Sequence, residues 1–261
     1  DLMDEIPTVV VNPLPKDRFG EATDSYVVLN RPYAFTEWLK TASVPERYIL
    51  MCEADHLFMR PMPNMMAGEA QGAALFTYIN PVEYGAIVKS LVGDMPDEEL
   101  KTVPRIGNSP TFVSVSDFRT LAPAWMNMTL RIWEDKEAHK AWNWVLEMYG
   151  YSLATYATGL HKGLVTHENM LAHPPWDTRE VDRNSQPFYL LHLTYPLRYN
   201  STGGITENET EVVWKFDKRA FSEFPPARNL PDPPPIVDND LARLIIKMFN
   251  QATAEIPCWD E

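Results

Sequence analysis

The strongest local feature of the sequence is the stretch Tyr48-Ile49-Leu50-Met51-Cys52-Glu53-Ala54-Asp55-His56, in which an apolar run of strand length leads directly into two carboxylates and an imidazole. In open α/β sheets, ligands bind beyond the carboxyl ends of the strands. Glu53 and Asp55 are two residues apart, so in an extended chain both side chains point to the same side. The pattern is typical of a site for a divalent cation or of a solvated turn, and the apolar strand before it favours the cation.

Predicted strands and helices alternate along the rest of the chain. Strands are predicted at residues 8–11, 47–52, 72–78, 111–115, 188–193 and 212–216, and helices at residues 32–42, 81–91, 136–156 (the longest pattern) and 238–254, with a further helix starting at Ser116. Residues 224–235 are proline-rich and are predicted to be extended. Alternating elements of this kind predict an α/β fold with a mostly parallel central sheet flanked by helices.

Composition narrows the class of protein. The 261 residues carry a formal charge of −13 and have a pI near 4.9, which argues against a nucleic-acid partner because phosphates would be repelled. No apolar run approaches the roughly 20 residues that span a bilayer. With only two cysteines there is no disulfide framework, and Cys52 is expected to be a buried, inert thiol. Three glycosylation sequons, at Asn127, Asn200 and Asn208, weakly favour the secretory route.

Four further residues could complete a site. His192 ends a predicted strand and can serve as a third cation ligand or as a structural histidine. Glu147 lies among aromatic residues, where it is either partly desolvated and chemically active or simply exposed on its helix. Arg31 and Lys218 can bind a diphosphate or form ordinary surface ion pairs. The sequence contains no P-loop, no Gly-x-Gly-x-x-Gly and no Gly-x-Ser-x-Gly.

Motifs along the whole chain resemble those of the hydroxyproline O-arabinosyltransferases of plants and green algae. In family order they are Leu2-Met3-Asp4-Glu5-Ile6-Pro7-Thr8, Tyr26-Val27-Val28-Leu29-Asn30-Arg31-Pro32, Glu53-Ala54-Asp55-His56 with Pro61-Met62-Pro63-Asn64, Ile106-Gly107-Asn108-Ser109-Pro110, Trp144-Val145-Leu146-Glu147-Met148-Tyr149-Gly150-Tyr151, Pro174-Pro175-Trp176-Asp177, Phe216-Asp217-Lys218-Arg219 and Pro225-Pro226-Ala227-Arg228-Asn229. Ala54 stands where the family usually has proline, but both carboxylates are kept.

The resemblance implies a retaining, GT-A-like glycosyltransferase of the Golgi lumen, a type II membrane protein in its full-length form. It implies UDP-β-L-arabinofuranose as donor, Mn²⁺ as cofactor, and the hydroxyl of a hydroxyproline peptide or glycoprotein as acceptor. Residues 1–261 are expected to form a single catalytic domain without the nucleotide-binding strand and the membrane anchor that precede it in the family. The uridine site of these residues alone is therefore expected to be open.

The resemblance also implies roles for particular residues. Glu53, Asp55 and His192 would hold the cation, while Arg31 and Lys218 would contact the phosphates or ribose. Asn108 and Ser109 would contact the sugar, and Glu147 would face the oxocarbenium-like centre or the acceptor. Retention has two routes, through a glycosyl-enzyme on a carboxylate or through attack on the same face that the leaving group occupies.

Alternatives stay open at this point. The enzyme could transfer galactose or extend an arabinose chain, or the protein could be a catalytically silent binder of hydroxyproline-rich glycoproteins. Trp142, Trp144 and Trp176 could stack on a polyproline II acceptor, although core packing is the expectation for any one of them. The negative charge either attracts basic acceptors or serves only solubility.

Overall fold

The computed structural model describes residues 6–16, 20 and 26–259. Its contacts divide the chain into two compact units, each described by itself below. Unit 1 comprises Asp1–Cys52 and Asn64–His167, and unit 2 comprises Glu53–Pro63 and Glu168–Glu261. The family motif at residues 2–5 lies outside the described residues. No described helix is both long and apolar enough to cross a membrane.

The regular elements follow in chain order. The strands are β1 (Tyr48–Met51), β2 (His56–Phe58), β3 (Gly72–Ala74), β4 (Thr111–Ser114), β5 (Val165–His167), β6 (Leu171–Ala172), β7 (Leu190–His192), β8 (Leu197–Asn200) and β9 (Val212–Phe216). The helices are α1 (Asn30–Thr41), α2 (Gly85–Val92), α3 (Asp97–Leu100), α4 (Val115–Glu134), α5 (Lys136–Trp142), α6 (Leu146–Ala157) and α7 (Asp240–Glu255). Most of the predicted elements are present, with ends shifted by a few residues.

Unit 1 is built on a four-stranded sheet in the order β1-β4-β3-β5. Strand β4 is buried along its whole length and pairs antiparallel with β1 and β3, while β3 and β5 run parallel. At the last residue of β4, the Ser114 hydroxyl accepts a hydrogen bond from the Asp117 amide (3.0 Å) and caps α4. Helix α4 then buries a stripe of apolar side chains, including Phe118, Leu121 and Trp125, and packs against α1 and α6.

Unit 2 contains a three-stranded sheet, β2-β7-β6, and the hairpin β8-β9. Helix α7 covers a hydrophobic cluster drawn from both, and buries Leu241, Ala242, Ile245 and Ile246 there. Asn239 begins this helix by accepting a hydrogen bond from the Ala242 amide (2.8 Å), while its side-chain amide donates to the Tyr199 hydroxyl (2.7 Å). The cap therefore ties the helix to β8 as well as starting it.

The prediction of a mostly parallel sheet is wrong for the described residues. Antiparallel pairing joins β1 to β4, β3 to β4, β2 to β7 and β8 to β9, and among the strands that the structure describes only the β3–β5 and β6–β7 pairs are parallel. The fold is therefore mixed α/β with small mixed sheets. Alternation of elements along a chain does not determine strand direction, because a long connection can return a strand in either sense.

Three local predictions also need correction. Residues 8–11 form no strand within the described part of the chain, and Val10 is 79% exposed, so this β-branched run has no sheet to join there. Residues 136–156 are not one helix: Asn143, with a φ of +41°, separates α5 from α6, and α4 is longer than either. Cys52 is exposed rather than buried, because β1 ends at the residue before it.

Candidate functional site

Glu53, Ala54, Asp55 and His56 form a tight turn rather than the extended chain that the spacing argument assumed. The His56 amide donates a hydrogen bond to the Glu53 carbonyl oxygen (3.1 Å), which closes the turn. The Glu53 amide in turn donates to Nδ1 of His56 (3.4 Å). With the backbone turned here, the two carboxylates are no longer bound to share a side, and the imidazole of His56 is placed at the start of β2.

His56 and His192 face each other across the antiparallel pair β2–β7. Side chains of directly paired residues lie on the same face of a sheet, and the two imidazole rings are 4.6 Å apart at 81° to each other. Together with the Glu53 carboxylate, they bring three potential ligand atoms within 4.8 Å of one another. Two ligands of a single ion, each about 2.1 Å from it, are at most about 4.2 Å apart, so small rotations of these side chains would let them share one ion.

Asp55 lies beside this group, and its carboxylate contacts two side chains, those of His192 and Lys218. One carboxylate oxygen is 3.5 Å from Nε2 of His192, and the other contacts the ammonium of Lys218. Burial alone would raise the pKa of Asp55, but the hydrogen bonds and charges of His192 and Lys218 outweigh it and hold the pKa well below its usual range. Asp55 is therefore an anion at neutral pH.

The Nδ1 nitrogen of His192 is suited to bind a metal ion. Nδ1 of His192 is buried and has no hydrogen-bond partner among the described residues, while Nε2 faces Asp55. Histidines that bind metals commonly donate a hydrogen bond from their other ring nitrogen to a carboxylate. This hydrogen bond fixes the tautomer and the ring orientation. The donor set of carboxylate and imidazole suits a first-row divalent ion.

Sequence reasoning missed two histidines of this group. His56 belongs to the quoted stretch, and its place at the start of the strand after the turn was the available signal. His173 carries no such signal, yet its ring is 5.6 Å from that of His192. Burial, together with the neighbouring His192, lowers the pKa of His173 to about 4, so it is neutral at neutral pH.

Unit 1 pairs two of the predicted site residues, Arg31 and Glu147. The guanidinium nitrogen Nη1 of Arg31 lies 3.3 and 3.4 Å from the two carboxylate oxygens of Glu147, whose side chain is only 2% exposed. The backbone of Glu147 is fixed as well, because its amide donates to the Tyr26 hydroxyl (3.1 Å) and its carbonyl accepts from the Trp125 indole (3.0 Å). Burial and the Glu147 charge raise the pKa of Tyr26, which keeps its phenol protonated.

Asn108 and Ser109 lie just before β4 in unit 1, and both are buried. The Asn108 side-chain amide donates to the Ser109 hydroxyl (3.3 Å). The predicted site residues thus fall into separate groups. Glu53, Asp55, His192 and Lys218 are gathered in unit 2, whereas Arg31, Glu147, Asn108 and Ser109 belong to unit 1.

Comparison with known proteins gives the family. The model of the hydroxyproline O-arabinosyltransferase family N-terminal domain matches residues 1–164, and that of the family's C-terminal domain matches residues 189–260. The chain belongs to the hydroxyproline O-arabinosyltransferase family. Among its relatives, hydroxyproline O-arabinosyltransferase RDN2 of Medicago truncatula is 44% identical, over 100% of this chain and 68% of its own.

Two other relatives show how far the similarity extends. Hydroxyproline O-arabinosyltransferase 3 of Arabidopsis thaliana is 41% identical, over 100% of this chain and 69% of its own. A peptidyl serine alpha-galactosyltransferase of the same plant is 24% identical, over 83% of this chain but only 28% of its own length. No solved structure matches the chain.

Proposed function

We propose that this protein transfers a β-L-arabinofuranosyl group from UDP-β-L-arabinofuranose to the hydroxyl of a peptidyl hydroxyproline. The relatives that match the whole chain are named for arabinosylation of hydroxyproline, and this similarity carries the proposal. The gathered ligand set of Glu53, His56 and His192 adds support, because a UDP-sugar transferase needs positive charge at its leaving group. We propose in addition a GT-A-like fold and a Golgi location.

We propose Mn²⁺ as the ion at this set, where it would neutralise the diphosphate of the leaving nucleotide. Glu53 and His192 serve as ligands in this proposal, and the geometry adds His56. The single lone pair of the neutral His56 ring would then bind the ion, so the ring would give up the 3.4 Å hydrogen bond from the Glu53 amide. Asp55 orients the ring of His192 and positions Lys218 next to the phosphates. A direct bond from Asp55 to the ion is the alternative, and it would use the carboxylate oxygen that faces Nε2 of His192, while the other oxygen keeps Lys218.

In unit 1, Arg31 is the group best suited to bind substrate, because its side chain is 31% exposed whereas that of Glu147 is 2% exposed. We propose that Glu147 holds the guanidinium of Arg31 in place for a phosphate or a ribose hydroxyl. Glu147 is then a positioning residue, which differs from direct contact with the reacting sugar. Buried Asn108 and Ser109 remain candidates for contacts with the sugar.

The decisive assay incubates the purified protein with Mn²⁺, UDP-β-L-arabinofuranose and a hydroxyproline peptide, and reads the product by mass. Addition of one pentose to the hydroxyproline peptide, and none to the same peptide with proline, is expected. UDP-galactose in a parallel reaction tests the activity that the name of the more distant relative suggests. Absence of pentose transfer, with hexose transfer in its place, would overturn the proposed donor.

Binding of Mn²⁺ is measured separately, by titration calorimetry and electron paramagnetic resonance. Replacing a ligand, in Glu53→Gln or His56→Gln, is expected to abolish measurable binding. Asp55→Asn is expected to weaken it by roughly 10- to 100-fold, as outer-shell changes do. His161→Gln, in unit 1, is the matched control and should bind like the unchanged protein. Unaltered affinity in His56→Gln would remove His56 from the ligand set.

A further inference from the structure

Two large aromatic side chains of unit 2 stand exposed and in contact with each other. Trp176 is 62% exposed and Tyr195 is 41% exposed, and their ring centroids are 4.5 Å apart at an angle of 73°. We call this pair the aromatic corner. Tryptophan and tyrosine at a surface are characteristic of binding sites, because they offer a large rigid contact area with few rotatable bonds.

Each residue of the aromatic corner has a short connection to the proposed cation site. Tyr195 lies three residues after His192, which is the last residue of β7. On the other side, the Trp176 amide donates to the carbonyl oxygen of His173 (3.1 Å), and the ring of His173 is 5.6 Å from that of His192. The corner is therefore anchored, through short connections on each side, to a histidine of the ligand set.

The loop that carries Trp176 is held firmly. The Asp177 amide donates to the carbonyl oxygen of His173 (3.1 Å), and the His173 amide donates back to the Asp177 carboxylate (2.7 Å). Pro174 and Pro175 lie between them, and proline rings fix the backbone torsion φ. A platform that is already ordered loses little conformational entropy when a ligand binds.

We propose that the aromatic corner binds a proline or hydroxyproline ring of the acceptor, next to the residue that receives the sugar. This inference rests on the proposed function. Proline-rich segments form a polyproline II helix with three residues per turn. Domains that recognise such segments bind the ridges of this helix in grooves lined by aromatic rings. Two exposed rings set at 73° form a corner into which such a ridge can fit.

The test uses a fluorescently labelled hydroxyproline-rich peptide, and measures its binding by anisotropy without any sugar donor. Trp176→Ala and Tyr195→Ala are each expected to weaken binding about tenfold or more, the usual result for an exposed aromatic anchor. Trp176→Phe keeps an aromatic ring and should recover much of the loss. Phe224→Ala is the control, because Phe224 is an exposed aromatic side chain of the same unit that lies outside the corner.

Steady-state kinetics then separate the acceptor from the donor. A raised KM for the peptide, with the KM for the UDP-sugar unchanged, supports the corner as an acceptor site. A raised KM for the UDP-sugar alone, or normal peptide binding in Trp176→Ala, overturns it and leaves the proposed function intact. Peptide binding that depends on Trp176, in a protein that transfers no sugar, supports the corner and overturns the proposed function.

Discussion

Replacing Arg31 by methionine directly tests its ion pair with Glu147, because it removes the guanidinium from a carboxylate that is shielded from bulk water. The side chain of Glu147 is 2% exposed, and Arg31 lies 3.3 Å from it. Breaking a buried ion pair from one side costs about 3–5 kcal/mol, since the remaining charge stays desolvated. Arg31 itself is 31% exposed, so we expect the lower end, a loss of about 3 kcal/mol in the free energy of unfolding.

The measurement is urea unfolding followed by circular dichroism, in a double-mutant cycle of Arg31→Met, Glu147→Gln and the double variant. The amide of Glu147→Gln carries no charge, so the double variant should be more stable than Arg31→Met alone. We expect a coupling free energy of about 2 kcal/mol between the two sites. On heating, Arg31→Met should lower Tm by roughly 6–12 °C for a chain of this length.

Two results would refute this reasoning. A loss below about 1 kcal/mol in Arg31→Met would place the pair among ordinary surface ion pairs. Losses that simply add in the double variant would show that the two residues do not act on each other. The same variants report on function: if Glu147 positions Arg31, both Arg31→Met and Glu147→Gln should raise the KM for the UDP-sugar, with the peptide KM unchanged.

Three further predictions concern packing and pH. In Gly150→Ala the new Cβ would lie 2.2 Å from Oγ1 of Thr129, so a loss of about 2 kcal/mol is expected in urea unfolding, partly recovered with Thr129→Ala. Gly203→Ala should cost about as much, because Gly203 has a φ of +79° and its Cβ would meet the Ile236 carbonyl oxygen at 2.1 Å. Burial raises the pKa of Tyr149 to about 12. The folded state thus keeps a proton that the unfolded state loses above about pH 10, and stability falls as the pH rises from 10 to 12. In Tyr149→Phe, the unfolding free energy should fall less steeply with pH, by a slope that corresponds to about one proton. Urea unfolding across this pH range measures that slope.

Local structure could be predicted from this sequence because it depends on neighbours along the chain. Strand β9 has the predicted ends, and β1 and α7 lie within the predicted ranges or one residue beyond them. Strand direction depends instead on which distant segments pair, and neither hydrophobic pattern nor spacing records this. Residues 8–11 show the same limit, since a β-branched run predicts strand propensity but does not supply the partner that a strand requires.

Glu53 and Asp55 show the limit of predicting the site from residue spacing. Side chains two residues apart share a side only while the chain is extended, and the hydrogen bond from the His56 amide to Glu53 closes a turn there. Asp55 is consequently directed to Lys218 and to Nε2 of His192, and the ligand atoms of Glu53, His56 and His192 gather instead. An acid-x-acid motif therefore identifies the place where a cation can bind, but the turn decides which side chains can reach it. The weaker Mn²⁺ affinity expected for Asp55→Asn, against none for His56→Gln, measures that distinction directly.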